Sequence, residues 1–228
     1  MSPIKVDLHL HTVYSGDSLI KPRDLVKFAK KKGLNGVAIT DHGSLKGYNI
    51  LKKEGKHQDL LLIPGMEIET HIGEVIALFI EEEPKFKDND FHTIVEEIRE
   101  NNGLIVIPHP FDFLRPNHLK TNLLNDGIIK KYIDGIEIMN SRIIIKSCIK
   151  KARKFNEKYN LFETGGSDAH TLKEIGNGYT LITETADDTL DGIRESLLNK
   201  KSKSCGRLSS PLVHAKTVIN KFQKGLYF

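Results

Sequence analysis

Asp7-Leu8-His9-Leu10-His11 falls at the end of a short apolar run near the N-terminus. Residues i and i+2 of a strand project to the same side, so a strand here aims His9 and His11 at one point, with Asp7 beneath them. Paired imidazoles suit a borderline divalent metal. An isolated His-x-His is only suggestive, but ligand types recur at the ends of the other apolar runs. Thr40-Asp41-His42 ends one, Gly65-Met66-Glu67 follows another, and Pro108-His109-Pro110 follows a third. Glu137 lies within a fourth run with Asn140 after it, and Gly166-Ser167-Asp168-Ala169-His170 follows Leu161 and Phe162. Asp168 and His170 repeat the i, i+2 logic with a carboxylate and an imidazole. This set overfills one tetrahedral zinc and fits two or three clustered cations, with Glu67 the best candidate for a bridging carboxylate. Cations ~3.5–4 Å apart suit in-line displacement at phosphorus, because they stabilise both the attacking and the leaving oxygen.

Regular elements must hold these groups together. Ile4–Leu8, Gly36–Thr40, Leu60–Pro64, Val75–Ile80, Leu104–Ile107, Gly135–Ile138 and Tyr179–Ile182 read as strands. Lys21–Lys32, Phe91–Asn101, Arg142–Tyr159 and Thr189–Asn199 read as helices, with helical spacing in Leu25, Phe28 and Ala29 and in Ile94, Val95 and Ile98. Gly33 and Gly103 stand where helices stop, and Asp187 or Asp188 can cap the helix that follows. Strand–helix alternation predicts a parallel β/α arrangement, in which the C-terminal strand ends gather at one face and build the site. Glu81–Asp90 is charged and contains Pro84, an exposed loop by composition. Lys200–Ser210 is rich in lysine and serine and leads into a last helix near Pro211–Lys221.

The chain has 228 residues, 39% hydrophobic and 28% charged, which suits one barrel-sized α/β domain or two small ones. No apolar run approaches the ~18–20 residues of a membrane span. Asp7 interrupts the only N-terminal apolar stretch, so no signal peptide is read. Two cysteines give no disulfide framework, and a reducing cytoplasm fits. The net charge of +4 is modest, and lysines such as Lys27, Lys30, Lys31 and Lys32 read as solvated helix faces. A mild positive field favours a phosphorylated substrate. Neither a GxGxxG fingerprint nor a P-loop is present.

The segments DLHLHTVYSGDS, AITDHGS, PGMEIET, IPHP, GIEIMNSR, GGSDAH and GRLSSPLVHA resemble, in order, spacing and residue type, the polymerase-and-histidinol-phosphatase (PHP) family. The resemblance covers roughly residues 4–215 and is closest to small stand-alone members. It implies an α/β fold, a distorted (β/α)7 barrel, in a single domain over residues 1–228, with 200–228 as a C-terminal extension or packing helix. It also implies a trinuclear centre. Carried over, His9, His11, Glu67 and Asp168 hold one metal, Glu67 and His109 a second, and Asp17, His42 and His170 a third. The family's second site usually has a histidine in the strand after Glu67. Here Glu74 stands in that place, with His71 nearby before the apolar run, so both are possible ligands. The cofactors implied are two or three divalent ions, zinc, manganese or iron.

The implied activity is direct hydrolysis by a metal-bound hydroxide, with Glu67, Asp168 and His170 at the catalytic centre. The substrates implied are phosphomonoesters, nucleotide phosphates or the ends of short oligonucleotides. Arg142, Arg207 and Arg115 are candidates to grip a substrate phosphate through the planar guanidinium fork, against surface salt bridges. Glu137 either touches the metal site or supports a ligand from behind. Asp7 and Asp41 either orient ligand histidines or cap loops, and Ser15 and Ser167 either bind phosphate or shape turns. His57, His92, His118 and His214 read as ordinary surface or packing histidines, and Cys148 as core. Two other functions compete: an amidohydrolase-type C–N hydrolase, since the same nucleophile attacks a carbonyl carbon, and a non-catalytic barrel subunit that binds RNA.

Overall fold

The computed structural model describes residues 3–55, 59–185, 187–210 and 212–213. Its nine strands are β1 (Ile4–Asp7), β2 (Gly36–Ile39), β3 (Leu61–Thr70), β4 (Gly73–Leu78), β5 (Leu104–Ile107), β6 (Gly135–Asn140), β7 (Phe162–Gly166), β8 (Gly178–Ile182) and β9 (Ser202–Gly206). Every residue of β2, β4, β5 and β6 is buried. Strands covered on both faces appear in sequence as unbroken apolar runs, which is why these were legible. The strands form one sheet in the order β7-β6-β5-β4-β3-β2-β1-β8-β9.

Strands β1, β2 and β3 are parallel, as are β5, β6 and β7, but β4 runs antiparallel to both its neighbours. The fully parallel arrangement expected from the sequence is corrected here. Only His71 and Ile72 separate β3 from β4, and a parallel crossover needs a dozen or more residues. Thr70 Oγ1 closes that turn by donating to the Gly73 carbonyl at 2.6 Å. Gly73 has φ 126°, and a Cβ there would lie 2.5 Å from Leu119 Cα, so a side chain is excluded.

The sheet curls into a nearly closed, distorted (β/α) barrel whose seven staves are β1 to β7. At the C-terminal end the chain beyond β1 meets the chain beyond β7: Leu10 bridges Ala169 in parallel, and His11 N–H donates to the Ala169 carbonyl at 3.0 Å. At the other end antiparallel β8 and β9 fill the gap. Side chains seal it, with Thr180 Oγ1 accepting from Gly165 N–H at 2.9 Å and Ser202 Oγ donating to the Glu163 carbonyl at 2.8 Å. One apolar cluster draws on β1, β2, β3, β4, β5, β7, β8 and a C-terminal helix, among them Val6, Ala38, Ile63, Ile76, Val106 and Phe162. That shared packing holds the strands in a common frame.

The helices are α1 (Pro22–Lys31), α2 (Lys46–Glu54), α3 (Phe91–Glu100), α4 (Asp126–Tyr132), α5 (Ser147–Tyr159) and α6 (Leu190–Leu198). Pro22 starts α1, where its missing N–H costs nothing. Asp90 caps α3 by accepting from Thr93 N–H at 3.0 Å. The cap of α6 is Thr189, accepting from Gly192 N–H, and Asp187 in turn accepts from Thr189; the expected aspartate cap is displaced by one contact. Helix α5 begins at Ser147, not Arg142, because Asn140 holds the chain in a turn by accepting from Arg142 N–H at 2.9 Å. Helices α2 and α4 and strand β9 were not expected. Glu81–Asp90 is irregular and mostly exposed, as expected, with Pro84 turned inward. The expected last helix, apart from Leu212–Val213, lies outside the described residues, as do His57 and His214. Among the described residues no helix is long and apolar enough to cross a membrane.

Candidate metal centre

The strand ends converge on Glu67. Its Oε1 lies 3.4 Å from His9 Nε2 and 3.1 Å from His109 Nε2; its Oε2 lies 3.3 Å from both His11 Nε2 and His42 Nδ1. Glu67 occupies the middle of the long strand β3, where an isolated bridge to His42 pins the neighbouring strand end beside it. Asp168 Oδ1 lies 3.5 Å from His11 Nε2 and 3.9 Å from His9 Nε2. Asp17 Oδ2 lies 3.1 Å from His170 Nε2 and 3.7 Å from His42 Nε2. Among the described residues, potential ligand atoms gather within 4.8 Å of one another in four overlapping groups: His11, His42 and His170; His9, His11 and Glu67; His9, His109 and Asp168; and His42, Glu67 and Glu74. Within these groups only the His42 side chain is substantially exposed, at 38%. It borders a cavity of about 560 Å³ that is also lined by Ser15, Asp17, Glu67, Glu74 and Phe86.

The hydrogen bonds fix which ring nitrogens face inward. Ser15 Oγ donates its one proton to Asp41 Oδ1 at 2.8 Å, so toward His11 Nδ1, 2.9 Å away, it can only accept. His11 therefore carries its proton on Nδ1 and turns an Nε2 lone pair toward Glu67. Glu137 does the same for His9. Its Oε1 accepts from Nδ1 at 3.1 Å, while its Oε2 accepts from His109 N–H and Asn140 Nδ2, both at 2.9 Å. The two Nε2 lone pairs then face each other at 3.2 Å, alongside Glu67 and a buried Asp168 Oδ1 that has no hydrogen-bond partner. Acceptors packed against acceptors call for positive charge, and the set of imidazoles and carboxylates fits divalent cations.

The titration behaviour of the cation-free cluster reflects the same demand. Burial opposes a charged His9, yet Glu137, Glu67 and Asp168 together raise it well above the ordinary histidine value. Burial likewise opposes a charged His11, but the carboxylates of Asp168 and Glu67 beside its Nε2 raise it to about 9. Glu67 and Asp168 are held well below the usual carboxylate range against the cost of burial, Glu67 chiefly by His9 and Asp168 by Arg115 and His9. Glu74 is pushed up to about 8 by burial and by the charge of Glu67. Burial, with His11 and Arg142, lowers His170 to about 4. His109 and Asp168 adopt positive φ angles of 29° and 52°. Such backbone costs about 1–3 kcal/mol in a non-glycine residue and persists where the surroundings impose it, commonly at functional sites.

Comparison with known proteins shows the family. A family model for the PHP domain matches residues 7–164, and a PHP-associated model matches residues 149–202. The chain belongs to the PHP domain family. It is 38% identical over 182 residues to an uncharacterized protein of Methanocaldococcus jannaschii, covering 79% of this chain and 71% of that one. It is 27% identical over 201 residues to a probable phosphatase of Caldicellulosiruptor bescii, covering 76% and 82% of the two chains. Among solved structures it resembles a two-domain protein from Bacteroides vulgatus containing a predicted PHP-like metal-dependent phosphoesterase. The TM-score is 0.75 at 21% identity, over 98% of this chain and 70% of that one, and shows the shared fold.

In this PHP domain the remaining candidates divide. Glu74 reaches the cluster, with Oε2 3.7 Å from His109 Nε2. His71 does not: half exposed in the β3–β4 turn, its Nδ1 accepts from Phe91 N–H at 3.1 Å and so serves the start of α3. Glu137 stands behind His9, outside the four groups. Arg115 reaches in from the loop after β5, donating from one terminal nitrogen to Asp168 Oδ2 at 2.5 Å and from Nε to Asp112 at 3.2 Å. Arg142 is buried, not a surface residue. Its Nε is 3.3 Å from Glu174 Oε1, and a terminal nitrogen is 2.7 Å from His170 Nδ1. Arg207 is exposed beyond β9, and its backbone N–H donates to the Asn177 carbonyl.

Asp7 accepts from the backbone N–H groups of Ser167 and Gly176, both at 2.9 Å. It shapes the loop under the site and touches no imidazole nitrogen; burial pushes it up to about 6. His92 packs edge-on to Tyr132 and His118 meets the Arg115 carbonyl, so both are packing residues as expected. Glu174 was missed. It accepts from His170 N–H at 3.1 Å and Thr171 N–H at 2.9 Å, and the only sequence signal was its place four residues after His170. Asn140 was noted only as a neighbour of Glu137, yet its Nδ2 also donates to Asp168 Oδ2 at 3.1 Å.

Proposed function

We propose that this PHP domain is a single catalytic unit, a metal-dependent phosphoesterase that hydrolyses a small phosphate ester. The observation that carries the reading is Glu67, whose two oxygens lie within 3.4 Å of four imidazoles drawn from three different segments. In this proposal His9, His11, Glu67 and Asp168 hold one cation; Glu67, His109 and Glu74 hold a second; and Asp17, His42 and His170 hold a third, with zinc, manganese or iron as the ions. Bound cations supply an acidified water near neutral pH and neutralise charge on a phosphoryl oxygen. Glu137 and the Asp41–Ser15 pair keep protons on the outer nitrogens of His9 and His11, and so keep the inner lone pairs available. Arg115 is the arginine placed to offer N–H groups to a phosphoryl oxygen beside Asp168. Arg142, held by Glu174, positions His170.

The relationship to proteins named as probable phosphatases supports a phosphate ester over an amide, although the fold alone does not separate the two chemistries. Phosphomonoesters, nucleotide phosphates and short oligonucleotide ends are the substrate classes. The unpaired Cys148 and Cys205 agree with a reducing compartment such as the cytoplasm. The test is a panel of phosphate esters and amides, assayed with zinc, manganese or iron added. Metal-dependent phosphate release from at least one ester is expected. Turnover of amides alone would transfer the site to C–N hydrolysis.

A further inference from the structure

We infer that the cluster is chemically graded, and that Glu74 makes the site around Glu67 and His109 selective for a harder cation than the site held by His9 and His11. The inference deepens the metal-centre reading above and rests on it.

The donor sets differ along the cluster. The inner set offers two imidazole nitrogens, His9 Nε2 and His11 Nε2, with oxygens from Glu67 and Asp168. Around His109 and Glu74 one nitrogen is added to two carboxylates, with His9 and His42, which border it, assigned to the other sets. His109 Nε2 lies 3.1 Å from Glu67 Oε1 and 3.7 Å from Glu74 Oε2, so two separate carboxylates face a single imidazole. Ligand atoms of Glu67 and Glu74 also fall within 4.8 Å of each other, in the group with His42. Glu74 is 92% buried by area, its residue exposure being 8%. Among the described residues no lysine or arginine forms an ion pair with it. Arg115 acts on Glu74 only from beyond ion-pair distance, so two buried carboxylates side by side call for a cation or a proton between them. Imidazole suits zinc, copper and iron, whereas carboxylate oxygen suits magnesium, calcium and manganese.

The fold explains why a carboxylate can sit there. The antiparallel β4 brings Glu74 back alongside β3, opposite Glu69 in register and two positions from Ile76, which lies opposite Glu67. Glu74 N–H donates to the Asn117 carbonyl at 2.9 Å, which ties its backbone to the loop carrying Arg115. The side chain is thus held at the cavity wall by strand pairing and by that loop, and Glu74 also lines the cavity. Glu67 and Glu74 both line the cavity, whereas His9 and His11 are not part of its lining.

The experiment is metal binding, not turnover. Chelator-stripped full-length protein is titrated separately with Mn²⁺, followed by the paramagnetic resonance of free ion, and with Zn²⁺, followed by competition with a chromogenic chelator. Wild type, Glu74→Gln and Glu74→His are compared, with far-ultraviolet circular dichroism as the check on folding. Wild type is expected to show a tight class that prefers Zn²⁺ and a weaker class that accepts Mn²⁺. Glu74→Gln, which keeps the shape and removes the charge, should weaken the Mn²⁺ class by at least about tenfold, the lower end of what losing even a ligand's supporting partner costs. The tight class should be unchanged. Glu74→His should keep both classes and raise the Zn²⁺-over-Mn²⁺ preference of the weaker one. A Glu74→Gln protein that binds Mn²⁺ as wild type does would overturn the assignment of Glu74 while leaving the metal centre intact. Wild-type protein that binds neither ion would overturn both.

Discussion

Glu137 Oε1 lies 3.1 Å from His9 Nδ1, on the opposite side of the imidazole from the nitrogen that faces Glu67. The carboxylate fixes the His9 tautomer and strengthens its inner lone pair. Glu137→Gln puts an amide in that place, which supports the tautomer weakly or not at all. Metal affinity is expected to fall by roughly 10–100-fold, the usual cost of removing such a partner. Chelator competition on the two proteins measures it, and equal affinities would show that Glu137 contributes only packing.

The same logic applies more mildly at His11. Ser15→Ala removes the hydroxyl between Asp41 and His11 Nδ1, and with it an acceptor for His42 N–H at 3.2 Å. The imidazole is then free to move its proton inward. A metal-affinity loss at the low end of that range, about tenfold, is expected. Unaltered affinity would assign Ser15 to the turn alone.

Arg115 and Arg142 both pair with buried carboxylates, but only Arg115 is open to a substrate. Arg115 is a quarter exposed and bonded to Asp168, so it is available to a substrate oxygen. Arg115→Ala should lower kcat/KM by roughly 10–1000-fold, about 1.4–4 kcal/mol of transition-state stabilisation. Its melting temperature should fall too, because Asp168 and Asp112 are left buried without that charge. Steady-state assays with a phosphate ester decide, and an unchanged kcat/KM would remove Arg115 from the substrate site.

Arg142 belongs to a buried pair with Glu174, whose side chains are 7% and 1% exposed. Arg142→Ala leaves Glu174 buried without that charge, a change that costs about 3–5 kcal/mol in comparable pairs. Thermal denaturation should show a clear drop in melting temperature. Arg142→Lys should rescue stability only in part, because an ammonium cannot meet Glu174 and His170 in the guanidinium's fixed fork. Wild-type melting in both variants would contradict the role given to the pair.

The histidines of the cluster were legible because strand periodicity is a local property. His9 and His11 share a face at i and i+2, and His42, His109 and His170 each follow an apolar run. What the sequence could not show depends on distant partners. Glu137 sits at a strand position that a ligand could occupy, and only the structure shows which nitrogen of His9 it addresses. Arg142 was read as a candidate phosphate clamp, against a surface salt bridge, and its buried pairing with Glu174 depends on the fold. The direction of β4 was hidden because an apolar run reads alike in both directions. Strand β9 was hidden because its Ser202-Lys203-Ser204 pattern is polar, and its place in the sheet comes from backbone pairing to β8.

The account depends on several cations sharing one carboxylate, so metal stoichiometry tests it most directly. Protein grown with zinc, manganese and iron supplied, then dialysed, should carry more than one equivalent of divalent metal per chain by elemental analysis. Glu67→Gln should lose most of that content, because His9, His11, His42 and His109 all face the one side chain. Wild-type protein without bound metal, or Glu67→Gln protein with the full wild-type complement, would contradict the account.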